Sequence, residues 1–180
     1  MSLVKNFRML SRYNIRINRQ LLGCCEQLST QALTKESHSF FPNVISYWNH
    51  LLFGDLILLK RLAANNLAGF TLNDFDTFPE PVSPQDIYHQ ELTDIRTLRE
   101  QVDQVIVEFF ANLTDDECAQ LMSYTSTEGE LITKCVADVC QHLFNHQSHH
   151  RGQLTCVLSQ LGIDYGCMDL PVLVPEGSGL

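Results

Sequence analysis

Apolar residues recur at helical spacing in four long segments of the chain. The first extends from about Leu3 to Leu28, where apolar positions follow one another in alternating steps of three and four residues. Such a seam is typical of a helix that packs along its neighbours in a bundle. Asn14 is a polar member of the seam, so we expect its side chain to have a buried hydrogen-bond partner.

The second predicted helix begins near Pro42, a residue type that is tolerated in a first helical turn, and ends within the sequence AANN at residues 63–66. This helix is apolar around most of its circumference. That pattern is typical of a helix that is deeply buried or that faces a partner subunit. We therefore expect a homodimer, with this helix as the reason.

The third helix is predicted to begin at Ser83 and Pro84, which have the residue types of an N-cap and a first helical position. The fourth is predicted from about Leu131 to Leu161, with Gly162 as its C-terminal cap. Gly152 inside that helix predicts close packing against a neighbouring helix, because glycine is otherwise unfavourable there.

The segment CAQLMSYTSTEGELI, which precedes the last helix, combines residues that favour extended structure with the turn sequence TEGE. It predicts a short strand or hairpin. Four long helices with two lengthy connections predict an all-α fold, a four-helix bundle with long connections and this small hairpin. We expect one domain over residues 1–180, with a C-terminal tail from about residue 163.

Composition narrows the classes of partner. The formal net charge of −9 argues against nucleic acid, since phosphate binding needs clustered Lys and Arg. No segment offers the roughly 18 uninterrupted apolar residues of a membrane span, and the N-terminus turns polar too early for a secretory signal. We expect no membrane contact.

The number and spacing of the cysteines indicate the cellular compartment of the protein. Seven cysteines, an odd number without any CxxC pair, are typical of reduced thiols, so we expect a cytoplasmic protein. Cys24, Cys135 and Cys156 lie in helical patterns, and we expect them to be small core residues.

Histidines carry the candidate chemistry. His142, His146 and His150 follow one another at intervals of four residues and share the apolar face of the last predicted helix, with His149 at its margin. Two imidazoles four residues apart on one helix can bind a single ion, provided that a third ligand comes from another helix. The alternative is that these histidines are hydrogen-bonded core residues, and the pattern alone leaves both interpretations open.

Five segments together resemble the DinB family of DinB/YfiT-like bundle metalloproteins, and the resemblance covers nearly the whole chain. The most specific is NHQSHHRGQ in the last helix. The others are WNHLLFGD, FPEPVSP, YTSTEGE and LGIDYGCMDLP. The resemblance implies a metal centre with three histidine ligands, which correspond by position to His50, His146 and His150. It does not include His142 among the ligands.

Other residues are candidates for roles around such a centre. His142 is an alternative ligand or a neighbour of one. Asp55 and Asp138 could orient an imidazole, since ligating histidines usually donate their second N–H to an acceptor. Arg151 could bind an anionic ligand near the metal, with simple solvent exposure as the alternative. Ligation by nitrogen alone suits zinc, nickel, copper or iron, and the order of affinities does not select among them. We expect zinc or nickel.

The resemblance also implies a function. We expect a metal-dependent enzyme that activates a thiol or water against a small electrophile, similar to a thiol S-transferase and using a low-molecular-weight thiol. The alternative is a non-enzymatic, stress-related metal-binding or interaction protein whose metal stabilises the bundle. One bundle fold supports different chemistries, so the activity follows from the resemblance less directly than the metal site does.

Overall fold

Residues 2–173 are described by the computed structural model, and they form seven α-helices and one hairpin. Four helices are long: α1 (Leu3–Cys25), α3 (Val44–Ala63), α4 (Leu92–Asn112) and α6 (Val136–Gln160). Three are single turns: α2 (Thr30–Leu33), α5 (Asp115–Cys118) and α7 (Leu170–Leu173). The strands are β1 (Leu121–Thr125) and β2 (Leu131–Cys135). The predicted all-α bundle with a small hairpin is thereby confirmed.

The four long helices surround one hydrophobic core. Helix α1 packs against α4 and α6, and α3 packs against the same two helices. Helices α1 and α3 are therefore diagonal to each other, as are α4 and α6. Consecutive long helices on a diagonal cannot be joined by a tight turn, which explains the long connections 26–43 and 113–135.

Side-chain caps define where the first two long helices begin. The Ser2 hydroxyl accepts a hydrogen bond from the amide of Lys5 at the start of α1. The Asn43 Oδ1 accepts from the amide of Ser46 at 2.9 Å, so α3 begins at Val44 rather than at Pro42. Helix α1 ends at Cys25, three residues before the predicted end.

The predicted start of the third long helix is wrong. Helix α4 begins at Leu92, and Ser83 and Pro84 lie in the preceding loop. The side chain of Asn49 holds this loop on α3, since its Oδ1 accepts from the amides of Tyr88 and His89. These tertiary hydrogen bonds replace the intrahelical bonds that the local sequence favours.

The last helix also begins later than predicted. Residues Leu131–Cys135 form β2, which pairs antiparallel with β1 in the register Leu121↔Cys135 to Thr125↔Leu131. Helix α6 therefore starts at Val136. Pairing with β1 outweighs the apolar periodicity that made residues 131–135 resemble the first turn of a helix.

Helix α3 is enclosed by its own chain. Sixteen of its twenty residues are buried among the other helices and loops, so its apolar circumference does not require a partner subunit. The seam residue Asn14 is also buried, and it accepts a hydrogen bond from Arg151, as its position predicted.

The predicted burial of three cysteines is confirmed only in part. Cys24 is buried, but Cys156 is exposed and Cys135 is only half-buried, so the predicted core position of Cys156 is wrong.

Within residues 2–173 no helix combines the length and apolarity needed to cross a bilayer. Of the predicted tail, residues 174–180 lie outside the described part of the chain.

Candidate metal centre

Three histidines from two helices converge between α3 and α6. The Nε2 atom of His50 lies 3.0 Å from Nε2 of His150 and 3.1 Å from Nε2 of His146. Residues His146 and His150 face α3 together because they lie one helical turn apart on α6. Each of the three offers a nitrogen within 4.8 Å of the others.

The second ring nitrogens of two of these histidines have acceptors of their own. His50 Nδ1 lies 3.0 Å from the carbonyl oxygen of Pro84, which can only accept, so Nδ1 carries the proton. His150 Nδ1 lies 2.8 Å from Oε1 of Gln153, which favours the same tautomer. Both Nε2 atoms then present lone pairs to each other at 3.0 Å, an arrangement that a cation between them would stabilise.

Burial keeps all three imidazoles neutral at physiological pH. It lowers the pKa of His50, against the opposing effect of the hydrogen bond to Pro84. Burial and the neighbouring imidazoles of His150 and His50 lower the pKa of His146 to about 3. Burial lowers the pKa of His150 to about 4. Neutral imidazole is the form that binds a metal ion.

Gly54 creates the space for the His146 ring. A Cβ atom at this position would overlap the imidazole of His146. Gly54 lies one turn after His50 on α3, so the glycine and the histidine occupy the same helix face. Nothing lies within 4 Å of a Cβ added at Gly152, so the close packing predicted there occurs at Gly54 instead.

An aromatic wall encloses one side of the histidines. The Phe41 ring stacks on His50 with 4.1 Å between centroids and meets His150 edge-on at 5.6 Å. Phe41 is buried, although it belongs to the loop before α3. The loops around Phe41 and Pro84 also line a mostly apolar cavity of about 320 Å³. Phe41 therefore covers part of the His50 and His150 imidazoles.

This donor set fits a divalent transition metal. Three neutral imidazoles converge on one point, two of them with the proton held on the opposite ring nitrogen. Nitrogen atoms about 3 Å apart can all reach one ion at the usual zinc–imidazole distance of about 2.0–2.1 Å. Three protein ligands leave further coordination positions, as in catalytic rather than closed structural sites.

The other predicted candidates lie outside this group. His142 is exposed, with its ring centroid 6.1 Å from that of His146, and His149 is exposed as well. Asp138 is exposed and lines a surface cavity together with His142.

Asp55 is fully buried, and its Oδ2 binds Arg99 at 2.6 Å and Gln147 at 2.5 Å. The acceptors for Nδ1 of His50 and His150 are therefore the carbonyl oxygen of Pro84 and Oε1 of Gln153, and not the predicted carboxylates.

Arg151 has neither of the roles considered for it from sequence. The side chain is 2% exposed, and its Nη1 donates to Asn14 Oδ1 at 2.5 Å and to Asn18 Oδ1 at 3.1 Å. Burial lowers its pKa to about 10, which still leaves the guanidinium charged at neutral pH. Its hydrogen bonds are directed to α1 rather than to α3.

A buried network of charges lies next to the histidines in the core. Arg99 bridges the carboxylates of Asp55 and Asp103, at 2.6 Å and 3.0 Å, and all three side chains are 0–1% exposed. Asp103 Oδ1 also accepts from Asn18 at 2.9 Å. With Arg151, the network contains two cations and two anions, so its formal charge is balanced.

Sequence reasoning missed several residues that shape the site. Gly54, Phe41, Pro84 and Gln153 were not identified as part of it. Gln153 is three residues after His150 on the same helix, so helical geometry could have found it. The carbonyl of Pro84 carries no such signal, because loop folding alone brings it to His50.

Fold and site together define a class: a helical bundle with three histidines arranged to hold a metal ion. A sequence model of the DinB family matches residues 1–175. The chain therefore belongs to the DinB family. It is also similar to Protein DinB of Bacillus subtilis (strain 168), with 22% identity over 162 residues that cover 87% of this chain and 90% of the relative.

Proposed function

We propose that the protein binds a divalent transition metal, zinc or nickel, through His50, His146 and His150, and that it uses the metal for catalysis. One observation carries the proposal: three neutral imidazoles from two helices, one buried and two half-buried, direct nitrogen atoms at one point. The hydrogen bonds at Nδ1 of His50 and His150 leave Nε2 free to coordinate.

The proposed reaction is the activation of a thiol or water against a small electrophilic substrate. A divalent metal held by neutral imidazoles lowers the pKa of a coordinated thiol or water, and thereby supplies a nucleophile near neutral pH. The protein contributes orientation and exclusion of water: Pro84 and Gln153 hold two imidazoles in position, and Phe41 covers one side of the site. A low-molecular-weight thiol is the proposed cosubstrate.

Metal analysis tests the first half of this proposal. Protein from unsupplemented cells should contain close to one equivalent of metal, and His146→Ala should lose most of it. His142→Ala is the matched control, because His142 lies one turn away on the same helix but is exposed. Equal metal content in wild type and His146→Ala would remove His146 from the site.

Turnover tests the second half. Metal-loaded protein should accelerate the consumption of a simple thiol by a panel of small electrophiles, and the metal-free protein should not. His150→Ala should lose this acceleration, while His142→Ala keeps it. If only thiol-independent hydrolysis of the panel is accelerated, water is the nucleophile and the thiol assignment is wrong.

A structural metal is the second candidate, and a specific observation favours it. His50 belongs to α3, whereas His146 and His150 belong to α6, about 100 residues later in the chain. A metal shared by these helices would cross-link the bundle and stabilise it against unfolding. If metal removal lowers the melting temperature steeply while no thiol or hydrolytic substrate is ever turned over, this candidate replaces the enzyme.

A further inference from the structure

The two edges of the hairpin are different. Hydrogen bonds from Ser126 N to Glu130 O, at 2.7 Å, and from Val136 N to Gln120 O, at 2.9 Å, flank the paired strands. In an antiparallel pair, residues alternate between those that bond across the pair and those that do not. The even-numbered residues of β1 and β2 therefore bond to each other, and the odd-numbered residues direct their N–H and C=O groups outward.

The outer edge of β1 is covered by α3 and the residues that follow it. Asn65 accepts from the amide of Ser123 at 3.3 Å and donates to its carbonyl at 3.1 Å. Arg61 donates to the carbonyl of Thr125 at 3.2 Å and stacks over the Tyr124 ring. No strand can add to this edge without displacing these side chains.

The outer edge of β2 is open. Its outward backbone groups belong to Leu131 and Thr133, and within residues 2–173 no hydrogen bond from another segment reaches them. Thr133 is exposed, and the Leu131 side chain is 77% exposed. An uncovered edge with an exposed leucine is a template for the addition of another strand.

The charged residues at the two ends of β2 indicate which strand can pair with its open edge. The sequence from Glu130 to Lys134 reads Glu-Leu-Ile-Thr-Lys, with opposite charges at its two ends. Neither charged side chain forms an ion pair within residues 2–173. Lysine on an edge strand normally discourages pairing. An antiparallel copy centred on Ile132 instead sets each Lys134 opposite the partner's Glu130.

We propose that a second copy of the chain docks along β2, antiparallel and with its two-fold axis at Ile132, to form a four-stranded sheet. In this register Leu131 lies opposite the partner's Thr133. The unpaired N–H and C=O groups of one β2 strand then face those of the other copy's β2 strand. The Glu130–Lys134 pairs then occupy the positions without backbone bonds, where opposing side chains approach most closely. A shift by two residues in either direction separates both charge pairs.

Sedimentation at micromolar to submillimolar concentrations tests the proposal with charge reversals. Wild type should dimerise. Glu130→Lys and Lys134→Glu should each weaken the dimer about tenfold or more, because both symmetric pairs become like-charged. The double variant Glu130→Lys with Lys134→Glu should recover dimerisation. Glu128→Lys carries the same charge change as Glu130→Lys but lies in the turn, so it should dimerise like wild type.

Thr133→Pro provides a test that does not depend on charge. The amide of Thr133 points outward, so proline there removes a backbone donor to the partner but no backbone donor within the hairpin. It also removes the exposed hydroxyl that bonds to Ser123 at 2.8 Å, and Thr133→Val is the control for that loss. The variant should be monomeric with an unchanged circular dichroism spectrum and melting temperature for the monomer. A wild type that stays monomeric at every concentration, or a dimer that Thr133→Pro and the single reversals leave unaffected, would overturn the proposal.

Discussion

The imidazole of His146 on α6 lies directly against the backbone of Gly54 on α3. A Cβ atom at residue 54 would overlap the ring, so only glycine permits this approach. The contact places His146 within reach of His50, which occupies the same face of α3 one turn earlier. The position of a candidate ligand therefore depends on the absence of a side chain on the facing helix.

Gly54→Ala should displace His146 and weaken metal binding by at least about tenfold, since the ring cannot occupy its position beside a Cβ. Calorimetric titration of metal-free protein with zinc measures the effect. Gly152→Ala is the matched control, because a Cβ there meets nothing within 4 Å. The control should keep wild-type affinity and gain up to about 1 kcal/mol of stability from better helix propensity. Equal zinc affinity in both variants would show that the contact does not position the ligand.

Arg99→Leu should destabilise the fold by about 3–5 kcal/mol, because it leaves the buried carboxylates of Asp55 and Asp103 without their shared cation. Arg96→Leu on the same helix removes a partly exposed arginine that pairs with Glu26 and Glu100, and it should cost no more than about 1 kcal/mol. Urea unfolding of both variants gives the comparison. Similar losses in the two would mean that the Arg99 network contributes no more than a surface pair.

The metal-free protein should lose stability in acid through His146. Its pKa is lowered from 6.5 to about 3 in the folded chain, chiefly by burial. Between these two values the unfolded chain binds a proton that the folded chain excludes, so the free energy of unfolding decreases as the pH falls through this window. Above pH 6.5 the group contributes no pH dependence.

The measurement is urea unfolding of chelator-treated protein at several pH values between 7 and 4. His146→Gln cannot take up the proton in the unfolded state, so its stability should depend less steeply on pH than that of wild type. Identical pH dependence in the two proteins would contradict the burial of His146 as an unprotonated group.

Two cysteines should react much faster than the others in the folded protein. Cys156 and Cys167 are exposed, whereas burial raises the pKa of the Cys25 thiol to about 12 and of the Cys118 thiol to about 11. The thiolate is the reactive form, so buried thiols with raised pKa values react slowly. A chromogenic disulfide reagent should detect a fast phase that disappears in the double variant Cys156→Ser with Cys167→Ser. Persistence of that phase would indicate that the half-buried Cys135 or a buried thiol reacts just as fast.

Much of the fold follows from local pattern. Alternating steps of three and four residues located all four long helices, and the turn sequence TEGE located the hairpin. The boundaries failed where distant residues compete with local preference. Ser83 and Pro84 have the residue types of a helix start, but Asn49 on α3 binds the loop that follows them.

The candidate site likewise combines features that local sequence predicts with features that depend on distant residues. The spacing of His146 and His150 placed both on one helix face, because that relation is contained within a single helix. His50 was assigned by resemblance, since its own helix is apolar almost all round and has no unique inward face. Arg151 looked like a surface residue, yet two asparagines on α1 satisfy its guanidinium in the core.

By itself, the sequence determined the class of fold, the existence of the four long helices and the pairing of His146 with His150, because these follow from interactions within a few residues. Only the tertiary structure decided which atoms hold the imidazoles, which glycine makes room for them and where Arg151 lies. Except for the bond between Gln153 and His150, which lies within one helix, those outcomes depend on contacts between segments 30 or more residues apart, which no local periodicity encodes.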